Sequence, residues 1–206
     1  MSRLSKLIQI SGDPSGPDFL PQAQLLSDHE ELRHLVTVKN GFYTFESALH
    51  VFPASAIAPE RGLDEWNSVS LWRHAYGNLT DGLFFFAEDL FGIQFAVLAN
   101  RVYTFDPETG KRQEFARNLE DWADKILADY NLHTGFSLGH AWQTAHGPLP
   151  AGKRLLPKVP FVAGGQFSVD NLYAGDAVQG MLFRAELAKQ IADLPDGAKI
   201  RFEITE

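Results

Sequence analysis

The chain has 206 residues, with 26 acidic and 18 basic side chains, a formal net charge of −8 and no cysteine. Without cysteine, a disulfide framework, a thiol nucleophile and every cysteine-ligated metal site are excluded. The acidic balance argues against nucleic acid or an anionic membrane surface as a partner, because those ligands require a basic face.

The first 26 residues are rich in Pro, Gly, Ser and Gln, and they predict an irregular N-terminal arm that lies on the body of the protein. The start of the chain has no apolar segment typical of a secretion signal. No later run approaches the roughly 20 apolar residues of a membrane span. We therefore expect a cytoplasmic protein with no membrane partner.

A helix is predicted directly after this arm. Ser27 and Glu30 have the spacing of a capping box, in which the two side chains satisfy free amides at a helix start. The apolar face of this helix consists of Leu32, Leu35 and Val36. The pair Asn40-Gly41 predicts its end, because Gly accepts the left-handed backbone found there.

The centre of the chain carries three short apolar runs, at residues 83–87, 93–99 and 102–105, rich in Phe, Val, Ile and Tyr. This composition predicts β-strands. Residues 88–92 and 106–110 contain the Gly, Pro and Asp typical of turns. The pattern therefore predicts an antiparallel meander.

A second amphipathic helix follows the meander. Asn118 is its predicted N-cap, and the apolar residues from Leu119 to Tyr130 recur at helical spacing. A sheet followed by a covering helix predicts an α+β fold with a twisted antiparallel sheet. The predicted shared core consists of Phe84, Phe86, Phe95, Val97, Tyr103, Trp122 and Ile126.

The chain is predicted to divide into the arm, a core at residues 27–130, a loosely ordered connector at 131–154 and a C-terminal α/β extension at 155–206 packed on the core. In the extension, Asp176 is a predicted helix cap, and residues 198–205 alternate as a final strand. The inward positions of that helix are Met181, Ala185, Ala188 and Ile191.

One motif in the connector suggests catalysis. Residues 135–139 match G-x-S-x-G, in which a strained strand-to-helix turn exposes the nucleophile Ser137. A small serine hydrolase that uses Ser137 with His140 or His146 is therefore one alternative. However, a helix rather than a strand is predicted before the motif, so we expect no catalytic site.

Metal or cofactor binding is not expected. His133, His140 and His146 are spaced by seven and six residues, which places them on no common helical face. Glu88 and Asp89 are adjacent, so in a strand they point to opposite faces and form a poor acid–base pair.

Several segments in residues 25–130, about half of the chain, together resemble the SUKH superfamily. Its members include many bacterial toxin-immunity proteins and a yeast regulator of cell-wall synthesis and killer-toxin resistance. The segments are Asn40-Gly41 with the aromatic residues 42–45, Trp66-Asn67, the hairpin at 83–95, the turn at 106–110 and Asp121-Trp122.

The resemblance implies an α+β fold with a twisted antiparallel sheet, no catalysis, and a surface that binds and neutralises a cognate toxin. The eukaryotic side of the superfamily suggests a second alternative, an interaction module in cell-envelope regulation. Since the chain is acidic, we expect a basic protein toxin as the partner.

The predicted protein-binding residues are two aromatic side chains and four acidic ones. Aromatic residues dominate interface hot spots, and Trp66 or Trp72 is expected to be partly exposed. Glu88, Asp89, Asp106 and Glu108 are expected on exposed turns. Further candidate acidic groups are Asp64, Glu65, Glu120, Asp121 and Asp124.

Overall fold

A computed structural model describes residues 2–18, 26–55 and 58–191. It contains a six-stranded antiparallel sheet whose strands follow one another in chain order, and a two-stranded antiparallel sheet. The predicted α+β fold is confirmed. The strands are β1 Phe42–Thr44, β2 Leu49–Val51, β3 Phe84–Asp89, β4 Gln94–Leu98, β5 Arg101–Phe105, β6 Arg112–Ala116, β7 Lys153–Pro157 and β8 Leu172–Asp176.

Helices cover both faces of the large sheet. They are α1 Arg3–Ile10, α2 Glu30–Val38, α3 Leu63–Trp66, α4 His74–Tyr76, α5 Leu119–Ala128, α6 Tyr130–Thr134, α7 Phe136–His146 and α8 Ala177–Ile191. A π-helical turn, Val69–Arg73, precedes α4, and short 3-10 turns include Phe161–Ala163. None of the helices in the described ranges is both long enough and apolar enough to cross a membrane.

The predicted meander corresponds to β3, β4 and β5, which pair in antiparallel register. The turn after β5 forms as its sequence predicts. The Gly110 amide donates to the Asp106 carbonyl at 2.8 Å, and Gly110 has a φ of +66°. The Glu108 amide donates to Asp106 Oδ1 at 2.8 Å, so the Asp side chain holds the turn closed.

Two neighbouring residues of β3 show how both faces of the sheet are buried. Phe85 packs on Trp72, with ring centroids 5.0 Å apart, whereas Phe86 packs on Trp122 of α5 at 5.1 Å. An irregularity in the β3–β4 register lies between Phe85 and Ala87. The predicted core is confirmed, since all of its residues are buried in the main cluster or packed against it.

The two predicted helix caps have different outcomes. Asn118 caps α5 by accepting the Asp121 amide at 2.8 Å, as predicted. The capping box before α2 is wrong. Helix α2 starts two residues later, with His29 as its N-cap and no side-chain cap, while the Ser27 hydroxyl donates to Asp28.

Helix α2 ends at Val38, slightly before the predicted Asn40-Gly41, and its C-cap Lys39 is extended rather than left-handed. Gly41 has a φ of +70°, and a Cβ there would lie 2.5 Å from the Pro53 nitrogen. Asn40 is buried beside it, and its Oδ1 accepts the Ala54 amide at 2.7 Å. The pair therefore joins the end of α2 to the chain that follows β2.

Two segments predicted as irregular are ordered helices. Residues 3–10 of the arm form α1, capped by the Ser2 hydroxyl, and the connector contains α6 and α7. Helix α7 has weak apolar periodicity and includes Gly139, which is why the sequence did not predict it. That Gly packs against Leu90, where a Cβ would lie 2.8 Å from Leu90 Cδ2.

The C-terminal part packs on the main core through α8, which contacts α4 and the π-helical turn. Asp176 caps this helix by accepting the Val178 and Gln179 amides, each at 3.1 Å, as predicted. Met181, Ala185 and Ala188 are buried in the main core, and Ile191 is half-buried. The predicted strand at residues 198–205 lies outside the described residues.

Candidate functional site

Both tryptophans predicted as exposed binding residues are fully buried, so that prediction is wrong. Trp66 stacks on Phe52 at 4.7 Å, and its Nε1 donates to Gln94 Oε1 at 2.8 Å. Trp72 packs between Trp66 and Phe85. The two side chains cover one face of the sheet and cannot reach a partner.

Glu88 is also buried rather than exposed on a turn, because it lies within β3, next to its last residue, inside a network of polar side chains. Arg154 of β7 donates from Nε to Glu88 Oε1 at 2.7 Å. Gln94 donates to Glu88 Oε2 at 3.0 Å, and His50 Nδ1 lies 3.3 Å from Oε1. Both carboxylate oxygens of Glu88 therefore have partners.

The charges in this network stabilise one another. Burial alone would raise the pKa of Glu88, but the Arg154 guanidinium and the hydrogen bonds from His50 and Gln94 lower it to about 2. Burial lowers the pKa of His50. Arg154 and Glu88 thus form a buried ion pair that joins β7 to the sheet.

The other side of His50 faces a small cavity of about 200 Å³. The Tyr43 hydroxyl donates to Glu60, 3.0 and 3.1 Å from its two oxygens, and the Tyr43 ring stacks on His50 at 4.2 Å. His50 Nε2 lies 3.4 Å from Glu60 Oε2. Tyr43, Glu60, His50 and Arg154 form no local sequence motif. They come together only in the folded chain, so the sequence did not predict this group.

A much larger cavity, of about 650 Å³, opens where the extension meets the sheet, and we call it the cleft. Its walls come from the turns after β3 and β5, from α6 and the start of α7, from residues 161–167 and from α8. Three of the six predicted site residues line it, namely Asp89, Asp106 and Glu108.

The apolar wall of the cleft is aromatic and partly open to solvent. Phe161 and Phe167 stack with their ring centroids 3.9 Å apart, and Phe91 meets both rings edge-on at 5.6 and 5.9 Å. Phe167 is 67% exposed, and Leu132 on α6 is 72% exposed. Large apolar side chains around a concave site are typical of a binding surface.

Asp89 is buried, which corrects its predicted place on an exposed turn. Its Oδ1 accepts the Phe91 amide at 2.9 Å and the Ile93 amide at 2.8 Å, and so closes the turn after β3. Burial raises the pKa of Asp89 to about 7, although both amides oppose the rise. Asp106 is half-buried, and both of its oxygens are used within its own turn.

Glu108 is 4% exposed, so its predicted exposure is wrong as well. Its Oε2 accepts the Val162 amide at 2.8 Å. The backbone amide of Phe161 also interacts with the carboxylate and opposes the rise of its pKa. Oε1, however, has no hydrogen-bond partner among the described residues. Burial raises the pKa of Glu108.

The cleft also contains one buried cation, Arg184 of α8. Its Nη1 donates to the Phe91 carbonyl at 2.6 Å, and its Nε donates to the Gly180 carbonyl at 3.0 Å. Within the described part of the chain it forms no ion pair closer than 4.0 Å with Glu108. Its bonds therefore go to the backbone rather than to the acidic groups of the cleft.

A smaller cavity of about 310 Å³ lies beside the cleft, between β7, β8 and α8. It shares Glu108 and Arg184 with the cleft, and its rim carries Phe183, which is 68% exposed. Phe183 does not line the cleft.

Ser137 lies in the first turn of α7, on the wall of the cleft, and α6 rather than a strand precedes it. Its amide donates to Asn131 Oδ1 at 2.9 Å. His140 Nδ1 lies 2.8 Å from Glu46 Oε2, and His146 stacks on Trp142. The G-x-S-x-G motif is therefore a helix–helix junction and lacks the strand-to-helix turn that a hydrolase nucleophile requires.

The three connector histidines are separated by their contacts. His133 meets the Phe115 ring edge-on at 5.0 Å, whereas His140 and His146 have the partners given above. In the ranges that the structure describes, no group of three or more His, Cys, Asp or Glu side chains is arranged to hold a metal ion.

The acidic groups predicted on α5 have local partners. The Leu4 amide of α1 donates to Glu120 at 3.1 Å, and Arg3 pairs with Asp124 at 2.9 Å. Asp121 accepts from Arg117 at 3.1 Å. This part of the acidic surface attaches α1 to α5.

Comparison with known proteins identifies the fold but no function. No protein-family profile matches the chain, and no curated protein sequence matches it. The crystal structure of Atu4351 from Agrobacterium tumefaciens is similar, with a TM-score of 0.60 and 14% sequence identity over 87% of each chain. At that identity, the similarity supports a shared fold alone.

Proposed function

We propose that this chain is a non-catalytic protein-binding protein whose cleft receives a basic protein. The observation that carries the proposal is the combination, in one cavity of about 650 Å³, of the exposed Phe167 and Leu132 with the acidic groups Asp89, Asp106 and Glu108. Exposed aromatic side chains at the mouth of a cavity supply apolar contact area, and nearby charges select the partner.

The charge of the whole chain supports the choice of a basic partner. A net charge of −8 creates a negative field that accelerates encounter with a cationic protein. Toxins that cleave nucleic acid are commonly cationic, because their own substrate is a polyanion. The acidic residues of the cleft extend this attraction into the site where the partner docks.

The resemblance to the SUKH superfamily supports a more specific form of the proposal. In that form the chain is a cytoplasmic immunity protein that neutralises a cognate bacterial toxin. Binding in the cleft would hold the toxin by its basic surface, which is the surface the toxin uses for its substrate.

The test uses the product of the gene adjacent to the one that encodes this chain. We expect the two proteins to form a complex and the chain to protect cells from that product. Phe167→Ser should weaken the complex about tenfold or more, since it removes the most exposed aromatic side chain of the cleft. Phe183→Ser is the matched control, because Phe183 has the same exposure but lies outside the cleft.

Absence of binding and of protection would contradict the proposed function. Equal losses in the two Phe variants would contradict the assignment to the cleft. The association rate should also fall as NaCl is raised from about 0.05 M to about 0.5 M, because screening shortens the range of the attraction. A salt-independent rate would contradict the electrostatic part.

A further inference from the structure

The carboxylate of Glu108 is held in a fixed position with one oxygen unused. Its Oε2 accepts the Val162 amide at 2.8 Å from the 3-10 turn of the extension. Its Oε1 is buried without a hydrogen-bond partner among the residues described, and the side chain lines the cleft. A buried acceptor without a donor is unfavourable, so a ligand that brings a donor to Oε1 gains that interaction.

Resting on the proposed function, we propose that Glu108 Oε1 binds the guanidinium of an arginine side chain that the basic partner inserts into the cleft. The arginine would lie against the Phe161 and Phe167 rings and donate to Glu108 at the end of the cavity. This assigns a specific chemical group to a site for which only a basic protein was inferred above.

The aromatic wall favours arginine over lysine. The guanidinium is planar, so it can stack on an aromatic face while its N–H groups point at a carboxylate, and it is less strongly hydrated than an ammonium. The rings of Phe161 and Phe167 stack face to face within 3° of parallel, so the outer face of the exposed Phe167 ring is the flat surface that can receive the guanidinium. Val162, between them in sequence, supplies the amide that fixes Glu108.

The charge inside the cleft also favours a cation. Three carboxyl groups, Asp89, Asp106 and Glu108, line it together with one guanidinium, Arg184. Arg184 directs Nε and Nη1 to backbone carbonyls, while Asp89 and Asp106 accept hydrogen bonds from their own turns. Among these three carboxyl groups, Glu108 is the one with a buried oxygen that has no hydrogen-bond partner in the described residues, and its other oxygen accepts the amide of Val162, next to Phe161 of the aromatic wall.

The test uses small probes and needs no partner. N-acetyl-arginine amide is titrated into the ¹⁵N-labelled full-length protein, and the backbone amide signals of Phe161 and Val162 are followed. We expect a saturable shift of the Val162 signal. N-acetyl-citrulline amide has nearly the same shape without the charge, and N-acetyl-lysine amide carries an ammonium, so both should bind about tenfold more weakly or worse.

Glu108→Gln should weaken binding of the arginine probe by about tenfold or more, because it removes the charge and keeps the size. Glu114→Gln is the matched control, since Glu114 is an exposed residue of β6 outside the cleft. If Glu108→Gln fails to fold, the comparison of the arginine and citrulline probes on the unaltered protein still decides the proposal.

The possible outcomes distinguish a failure of this inference from a failure of the proposed function. Equal binding of arginine and citrulline, equal binding of arginine and lysine, or no effect of Glu108→Gln would overturn the inference. If the partner binds through Phe167 but the arginine probe does not bind, the inference fails while the function stands. If the chain forms a dimer that Phe167→Ser disrupts, a second copy occupies the cleft, and both proposals are wrong.

Discussion

Two buried carboxylates, Glu88 and Glu108, have opposite surroundings. Both oxygens of Glu88 have side-chain partners in Arg154, Gln94 and His50. One oxygen of Glu108 accepts a backbone amide, and the other is buried without a hydrogen-bond partner in the described structure, although the residue lines the cleft. Buried acidic groups of one residue type therefore serve different purposes. Glu88 holds β7 to the sheet, whereas Glu108 keeps an oxygen without a partner, which we propose is where a ligand binds.

The difference arises from what the chain after α7 brings to each residue. At Glu88, strand β7 contributes the Arg154 side chain, and the adjacent Leu155 amide donates to the Leu90 carbonyl at 2.9 Å. At Glu108 the extension donates a hydrogen bond from the backbone of a 3-10 turn, and the Arg184 guanidinium opposes the rise of the Glu108 pKa, although the two form no ion pair in the described part of the chain. Both oxygens of Glu88 are therefore hydrogen-bonded, whereas one oxygen of Glu108 is left without a partner in the described structure.

The largest expected effect is at Arg154. Arg154→Ala leaves Glu88 charged and buried without its ion-pair partner, which should reduce the free energy of unfolding by about 3–5 kcal/mol in chemical denaturation. The control is Lys153→Ala. Lys153 is 39% exposed and lies 3.6 Å from Asp176, so its loss should cost about 1 kcal/mol or less. Equal effects in the two variants would contradict a fastening role for Arg154.

Glu→Gln substitutions at the two carboxylates compare the regions directly. Glu88→Gln leaves Arg154 unpaired and should lower the free energy of unfolding by about 3 kcal/mol. Glu108→Gln keeps an acceptor for the Val162 amide and removes a buried charge, so the change should stay within about 1 kcal/mol. Urea denaturation of both variants is the measurement. A larger loss of unfolding free energy for Glu108→Gln than for Glu88→Gln would contradict this comparison of the two carboxylates.

The pH dependence of stability separates Asp89 from Glu88. Burial raises the pKa of Asp89 from 3.8 to about 7. The stability that Asp89 contributes is thus complete below about pH 3.8 and is lost as the pH rises through 7. For Glu88, with a pKa lowered from 4.5 to about 2, the contribution is present above 4.5 and is lost as the pH falls towards 2. Between pH 5 and pH 8, therefore, only Asp89 of these two changes its charge.

Asp89→Asn removes this titration while Oδ1 can still accept the Phe91 and Ile93 amides. The unaltered protein should lose on the order of 2 kcal/mol more stability than Asp89→Asn between pH 5 and pH 8. Taking the difference between the two proteins cancels the contribution of the histidines. Parallel pH profiles would contradict the raised pKa.

The sequence predicted elements whose apolar pattern is strong. Strands β3 and β4 are buried on both faces and contain nearly continuous apolar runs, β5 is partly buried, and α5 carries a wide apolar stripe. Strand β6, with the sequence RQEFA, is mostly exposed at the sheet edge, so it lacked that signal. The segment around Trp66 and Trp72 includes a π-helical turn, which disturbs the helical spacing that would have indicated burial.

The candidate site was only partly predictable. Asp89, Asp106 and Glu108 were chosen as acidic turn residues, and they do line one cavity, but their burial depends on residues 161–167, far along the chain. Arg154 and Glu88 are 66 positions apart, and no local pattern links them. This pairing depends on how the C-terminal part of the chain packs on the core. Neither apolar periodicity nor the turn residues of the sequence indicate that packing.

The most direct test of the central claim is the affinity of Glu88→Gln and Glu108→Gln for the adjacent-gene partner, measured by calorimetry where both variants are folded. The account predicts that Glu108→Gln weakens binding about tenfold or more, while Glu88→Gln stays within about threefold of the unaltered protein. Weaker binding by Glu88→Gln than by Glu108→Gln, or unchanged binding by both, would contradict it.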